Sequence, residues 1–355
     1  MSEFNYLFSP LKIGATVVPN RIHFAAHMTN YAVDNLISDR HLYYYRERAK
    51  GGVGLITTEE MGIHPTDHPY DKLVDVYEPE VIPGFKRLTS AIHDYDTKIF
   101  AQLNHNGMQG DGKISRLPVW GPSTGKDPIF RETCKAMELE DIQECIEYFA
   151  LCARNAVEGG FDGIELHSAN GYLLEQFIRP NSNQRQDDYG GPIERRARFV
   201  VEVVEAVIDA IGKDKVGIRL SPFGVFNDMP LYDDMERDYT YLAERLDECG
   251  PLYIHLVDHS SMGAPPVPDS IKETFRKVFT GTLILSGGYD AKRAESDLTA
   301  GKCDLIAVGK PFLANPDLPL RWQIGAAENA PDMETFYTPG PRGYTDYPLL
   351  PDKKR

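Results

Sequence analysis

His167, Asn170 and Tyr172 follow a short apolar run at spacings of three and two, and each side chain can offer a polar hydrogen. An imidazole and an amide can each present an N–H to one oxygen, which suits a carbonyl that becomes an enolate. A tyrosine, ordinarily titrating near about 10, can give a proton to the carbon beside that oxygen. A histidine capping a turn and an aromatic covering a rim would leave the same trace, and spacing alone keeps both readings open. Gln102 and Arg219 each close a further apolar run. An amide with donor and acceptor, beside a fixed cation, fits a heteroaromatic ring that carries imide groups and gains negative charge. A plain arginine–carboxylate pair, with Glu59 for example, fits as well. Gly287-Gly288 and Gly309-Lys310 follow the last two runs. Glycines let backbone N–H groups approach phosphate oxygens and the lysine adds charge, although glycines also simply end strands. The histidine pairs His23/His27, His64/His68 and His255/His259 are each four apart, but none lies on a clear helix and no H-E-x-x-H occurs. No metal site is expected from them, and neither G-x-G-x-x-G nor a P-loop pattern is present.

These residues need elements to hold them. Short apolar runs, most of them continuous, recur at 22–26, 53–59, 98–104, 163–167, 216–221, 252–257, 283–287 and 305–309. Continuous rather than alternating runs predict parallel strands covered on both faces. Helical periodicity separates them, most clearly over 138–158 and over 193–211, where Ile193, Ala197, Val200, Val204, Val207, Ile208 and Ile211 repeat at three and four. Eight strand–helix units predict an α/β fold, a (β/α)8 TIM barrel, with a doubly wound open sheet as the rival. In a barrel the strand tails carry the chemistry, and here they are polar: Thr57-Thr58-Glu59-Glu60, Gln102-Leu103-Asn104-His105 and Arg219-Leu220-Ser221 are examples. One domain over 1–355 is expected, with 107–135 as a loop insertion near the mouth and 331–355 as a tail over the site.

Composition narrows the partners. The chain has 355 residues, and 53 acids against 38 bases give a net charge of −15. Such a balance repels a polyphosphate backbone, so nucleic acid is not an expected partner. Mean hydropathy is −0.37, and no apolar run is long enough to span a bilayer. The N-terminus lacks a basic stretch followed by an apolar one, so secretion is not expected. The cysteines Cys134, Cys145, Cys152, Cys249 and Cys303 are odd in number and form no C-x-x-C. Buried thiols in a reducing compartment, hence the cytoplasm, are the expectation. Oligomeric state, monomer or homo-oligomer, is left open.

Beyond these local readings, ordered motifs run along nearly the whole chain. They are Phe8-Ser9-Pro10-Leu11 with Pro19-Asn20-Arg21-Ile22, and then His167-Ser168-Ala169-Asn170-Gly171-Tyr172-Leu173 with Asn183-Gln184-Arg185 and Tyr189-Gly190-Gly191. Arg219-Leu220-Ser221-Pro222-Phe223-Gly224, Gly309-Lys310-Pro311-Phe312 with Asn315-Pro316-Asp317, and Gly343-Tyr344-Thr345-Asp346-Tyr347-Pro348 complete the series. In these the chain resembles the old yellow enzyme family of FMN-dependent ene reductases. The resemblance implies that NAD(P)H, either NADPH or NADH, reduces FMN, which then reduces an activated alkene, an α,β-unsaturated carbonyl compound, in a ping-pong cycle. It implies His167 and Asn170 on the substrate carbonyl and Tyr172 as proton donor. Gln102, Arg219, Ala25, Ala26 and His27 would line the flavin, and Gly287, Gly288, Gly309 and Lys310 would hold its phosphate. Tyr344 would lie over the substrate side.

The chain departs from the family's pattern at four places. Lys310 stands where arginine is usual, Met28 where threonine or cysteine tunes the flavin, Glu60 where alanine or glycine lies near it, and Asn104 in place of an aromatic or histidine beside the substrate. The stretch His27-Met28-Thr29-Asn30-Tyr31 looks more like the dienoyl-CoA reductase branch. A dienoyl-CoA reductase or amine demethylase on the same barrel is therefore the alternative activity. A flavin-free lyase using His167 and Lys310, or a protein that holds FMN without turnover, are readings from other classes.

Overall fold

Eight parallel strands close into a barrel in the computed structural model, which describes residues 4–126 and 133–351. They are β1 (Ile22–Phe24), β2 (Leu55–Gly62), β3 (Lys98–Asn104), β4 (Gly163–Ser168), β5 (Val216–Leu220), β6 (Tyr253–Leu256), β7 (Thr282–Ser286) and β8 (Leu305–Val308). Each pairs with the next, and β8 returns to β1, so the (β/α)8 barrel is the observed fold and the open sheet is excluded. The apolar runs end up here because both faces of each strand are covered; every residue of β4 and β5 is buried.

Helices pack outside. They include α1 (Asp39–Lys50), α2 (Val81–His93), α3 (Leu139–Glu158), α4 (Arg198–Ile211), α5 (Met235–Cys249), α6 (Asp269–Val278), α7 (Ala291–Thr299) and α8 (Leu318–Ile324). On α3, Cys145 and Cys152 are buried with Ile142, Ile146 and Phe149 on one stripe, as expected of small apolar side chains. The helix expected over 193–211 divides at Ala197, into Ile193–Arg196 and α4. Part of the segment 107–135 folds as a 3₁₀ turn (Gly107–Gln109), a short helix (Gly112–Ser115) and three short strands; its residues 127–132 lie outside the described ones, as do 352–355 of the tail.

Register decides which side chains share a level. Arg219 of β5 lies opposite His167 on β4 and His255 on β6. Gln102 of β3 lies opposite Glu165 on β4 and Glu60 on β2. Between Thr57 and Glu60 the β2–β3 register shifts, so Thr58 and Glu59 together oppose Ala101. That bulge puts Glu60, and not Glu59, level with Gln102.

The turn after β4 is held by one carboxylate. Glu175 accepts hydrogen bonds from the N–H of Gly171 (2.7 Å), the hydroxyls of Ser221 (2.9 Å) and Tyr239 (2.7 Å), and Arg179 (2.7 Å). Ser221 Oγ in turn accepts the N–H of Asn170 at 2.8 Å. Asn170 (φ 60°) and Gly171 (φ 77°) are both left-handed, and a Cβ on residue 171 would stand 2.8 Å from that of Asn227. Glu175 and Arg179 are buried to 1% and 0% side-chain exposure. Glu175→Ala would strand the Arg179 cation without its partner, so a stability loss of about 3–5 kcal/mol is expected, read from the shift in urea midpoint.

Candidate active site

At the C-terminal end of the barrel the strand tails surround a cavity of about 590 Å³, the scale of a cofactor or drug-sized ligand site. Its wall carries Ala25, Ala26, His27 and Met28 after β1, Glu60 on β2, Gln102 on β3, and His167, Asn170 and Tyr172 at the end of β4. Arg219 on β5, Gly287 and Gly288 after β7, and Gly309 and Lys310 after β8 complete it. Two expected substrate contacts stand one layer behind. Asn104 is fully buried and gives its amide N–H to Glu60 Oε2 at 3.2 Å. Tyr344 is also fully buried, packed between the rings of His27, Tyr31 and Tyr44, and donates to the carbonyl of Met28 at 3.1 Å. The tail residues that reach the wall are instead Phe336 and Tyr337. Tyr344 holds them there, since its hydroxyl accepts the N–H of Tyr337 at 2.8 Å. No residue of 107–126 or 133–135 lines the cavity.

The polar groups are set in defined states. Burial, reinforced by the Arg219 charge, holds the His167 imidazole well below its ordinary value, so it is neutral at pH 7. Its Nδ1 accepts the N–H of Ala169 at 3.3 Å, which leaves the proton on Nε2 as a donor. The ring meets Tyr172 edge-on at 4.9 Å. Burial, and then the charge of Glu60, raise the Tyr172 phenol well above its usual range, so it keeps its proton. Gln102, which lines the cavity, gives one amide N–H to Glu165 Oε1 at 2.7 Å and keeps its second N–H and its amide oxygen.

Arg219 is not paired with Glu59. Glu59 takes the N–H and hydroxyl of Thr29, each at 2.7 Å, and the ring of His41 at 2.6 Å, tying the loop after β1 to α1. The Glu165 carboxylate favours the Arg219 cation against burial, and the Arg219 Nε is buried without a hydrogen-bond partner among the described residues. A buried donor of this kind calls for an acceptor from a ligand. Gly287 (φ 120°) and Gly288 (φ 65°) are left-handed, and around Gly309 no atom lies within 4 Å of where a Cβ would be. The space beside Gly309 is open to an approaching anion, with Lys310 next in the chain, whereas Gly287 packs against Asp258 and Gly288 against Ser261. An anionic ring system carrying a phosphate therefore fits this donor set.

Several wall residues carried no usable signal in the sequence. Phe226 and Asn227 come from the loop after β5, and Asp258, His259 and Met262 from the loop after β6. His259 stood out only as half of a histidine pair with His255, yet the two diverge: His255 turns inward to Glu165 at 3.0 Å, whereas His259 faces the cavity.

Comparison with known proteins agrees with this geometry. Residues 6–329 match the NADH:flavin oxidoreductase / NADH oxidase family. The chain is 36% identical to 12-oxophytodienoate reductase 1 of Oryza sativa subsp. japonica over 357 residues, covering 97% of this chain and 93% of that one. It is similar to morphinone reductase solved with tetrahydroNAD, with TM-score 0.92, 35% identity and 98% of each chain covered. It is also similar to the old yellow enzyme homologue from Zymomonas mobilis, with TM-score 0.91, 32% identity, and 97% of this chain and 99% of that one covered. The chain belongs to the NADH:flavin oxidoreductase / NADH oxidase family and, within it, to the old yellow enzymes, oxidoreductases that act on C=C bonds with NAD(P)H.

Proposed function

We propose that the protein is an ene reductase, taking a hydride from NADPH or NADH and reducing the C=C bond of an α,β-unsaturated carbonyl compound. The observation that carries this reading is the wall formed by neutral His167, with its proton on Nε2, the amide of Asn170 and the protonated phenol of Tyr172. Gln102, Arg219, Ala25, Ala26 and His27 would hold the FMN ring, and Gly287, Gly288, Gly309 and Lys310 its phosphate. FMN, when bound, supplies the hydride that it has first accepted from the reduced nicotinamide, in a ping-pong cycle. The residues do the rest. His167 and Asn170 bind the carbonyl oxygen, and as hydride reaches the β-carbon the alkene's electron pair moves onto that oxygen. Two neutral donors aimed at it stabilise the enolate without any change in their own protonation. The enolate pair then takes the Tyr172 proton at the α-carbon, and solvent restores the phenol, so one hydride and one proton are added in total.

Phe336 and Tyr337 roof this wall, while Met28 and Glu60 face it and set what can enter. Relatives bearing reductase names, one of them solved with tetrahydroNAD, support the choice of reductant class. The free cysteines fit a reducing compartment, and the cytoplasm is the proposed location.

Replacing His167 and Asn170 together by alanine should lower the rate of cyclohexenone reduction by roughly 10²-fold or more, measured by stopped-flow reoxidation of the reduced enzyme. Full activity in that double variant would sink the assignment. Tyr172→Phe should slow the same half-reaction by roughly 10²-fold; an unchanged rate would mean that water delivers the proton. Burial pushes the Glu60 carboxyl up to about 7, against the hydrogen bond from Tyr70. As pH rises through that value the cavity gains a negative charge beside the developing oxyanion, so reduction should slow on the alkaline side. Glu60→Gln should flatten that limb of the pH–rate profile, and a limb that persists would assign it to another group.

A further inference from the structure

An asparagine amide can face either way, and only one orientation makes Asn170 a donor to a substrate oxygen. Its backbone is already fixed: the N–H goes to Ser221 Oγ at 2.8 Å and the carbonyl takes the amide of Asn227 at 2.7 Å. The side-chain oxygen lies 2.7 Å from Nε2 of His259. His259 comes from the loop after β6, on the opposite side of Arg219's strand from Asn170. That loop is itself rigidly built. The carbonyl of His259 accepts the N–H of Met262 at 2.8 Å and of Ala264 at 3.3 Å. Asp258 caps Ser260 N–H at 2.9 Å and pairs with Lys272 at 3.0 Å. The ring of Phe226 meets the His259 ring edge-on at 4.5 Å.

We infer that His259 is a positioning residue, which donates from Nε2 to Asn170 Oδ1 and so turns the Asn170 N–H₂ toward the cavity, beside Nε2 of His167. Burial, and then the Arg219 charge, push the His259 imidazole down to about 4, and a neutral ring with its proton on Nε2 makes this bond. An uncharged orienting group also leaves the field at the oxyanion to Arg219. The inference rests on reading Asn170 as a carbonyl donor, and it adds that the donor depends on a residue from a different strand tail.

A double-mutant cycle tests it. The FMN-loaded wild type, His259→Ala, Asn170→Ala and the combined variant would be compared for kcat and KM with cyclohexenone. Binding of p-hydroxybenzaldehyde would be followed by its spectral change over the flavin. His259→Ala should cost roughly tenfold in kcat/KM and in p-hydroxybenzaldehyde affinity, and should cost nothing further in the Asn170→Ala background. His259→Gln, which keeps an N–H donor at a similar reach, should recover most of the loss with flavin content unchanged. An equal loss in both backgrounds would mean that His259 acts on the ligand directly, and no loss in either would remove it from the site; both overturn the inference. Wild-type behaviour in Asn170→Ala would overturn the donor pair itself, a failure separable from the first two. Because His259→Gln retains the ring's packing volume in part, a fall in both histidine variants with normal melting and full flavin would also count against positioning by hydrogen bonding.

Discussion

A single carboxylate inside the barrel sets the level on which the site is built. Glu165 of β4 is fully buried, yet it meets the amide of Gln102 from β3, the hydroxyl of Tyr253 and the ring of His255, both from β6. An isolated buried carboxylate would be neutralised or expelled. Burial does oppose its charge, but His255, His23 and Arg219 outweigh that and hold it well below the usual carboxylate range. The Glu165 charge acts in the other direction too. Arg219, 9% exposed, can remain a cation at the cavity floor because Glu165 lies beneath it. Gln102 is tied to the same carboxylate through its side-chain amide. The floor of the cavity is thus a layer of connected side chains in which the Arg219 Nε still lacks an acceptor among the described residues.

Two further carboxylates hold the walls to that floor, each by using every oxygen. Glu175 collects donors from Gly171, Arg179, Ser221 and Tyr239. It thereby fixes the strained left-handed pair Asn170-Gly171 that throws Asn170 and Tyr172 into the cavity. Glu59 anchors the loop after β1 through Thr29 and His41. That loop in turn receives the C-terminal tail, since Tyr31 donates to the carbonyl of Gly340 at 2.6 Å and Tyr344 to that of Met28. The roof over the cavity therefore depends on an acid that never touches it.

The bulge in β2 decides which of Glu59 and Glu60 lines the cavity. In an unbroken strand two consecutive acids would face opposite sides, one into the barrel and one into the helices. The shift decides which acid goes where: without it Glu59 would stand opposite Gln102, whereas the bulge puts Glu60 there, on the cavity wall and bonded to Tyr70 and Asn104, and leaves Glu59 to α1 as a structural anchor. Asn104 accordingly serves Glu60 and not a ligand. The acid at 60 brings a titratable charge into a site whose other lining charges include Arg219 and Lys310.

The eight strands were legible from the chain, because a strand covered on both faces is mostly apolar: 305–309 is so throughout, and the runs at 98–104 and 216–221 are broken mainly by Gln102, Asn104 and Arg219 toward their tails. The cluster His167, Asn170, Tyr172 was legible for a related reason: a strand tail in a barrel is polar where it meets a site. Closure of the sheet, the bulge between Thr57 and Glu60, and the seats of Asn104 and Tyr344 one layer behind the wall were not, since each is settled by contacts between segments distant in the chain. His259 was the least visible. Nothing in its spacing from His255 tells that one ring turns into the barrel and the other toward Asn170, 89 residues away. Composition and periodicity determine which segments must be buried, because burial is a property of each residue alone. Orientation of a side chain toward a partner is a property of two, and only the folded arrangement brings the second one into reach.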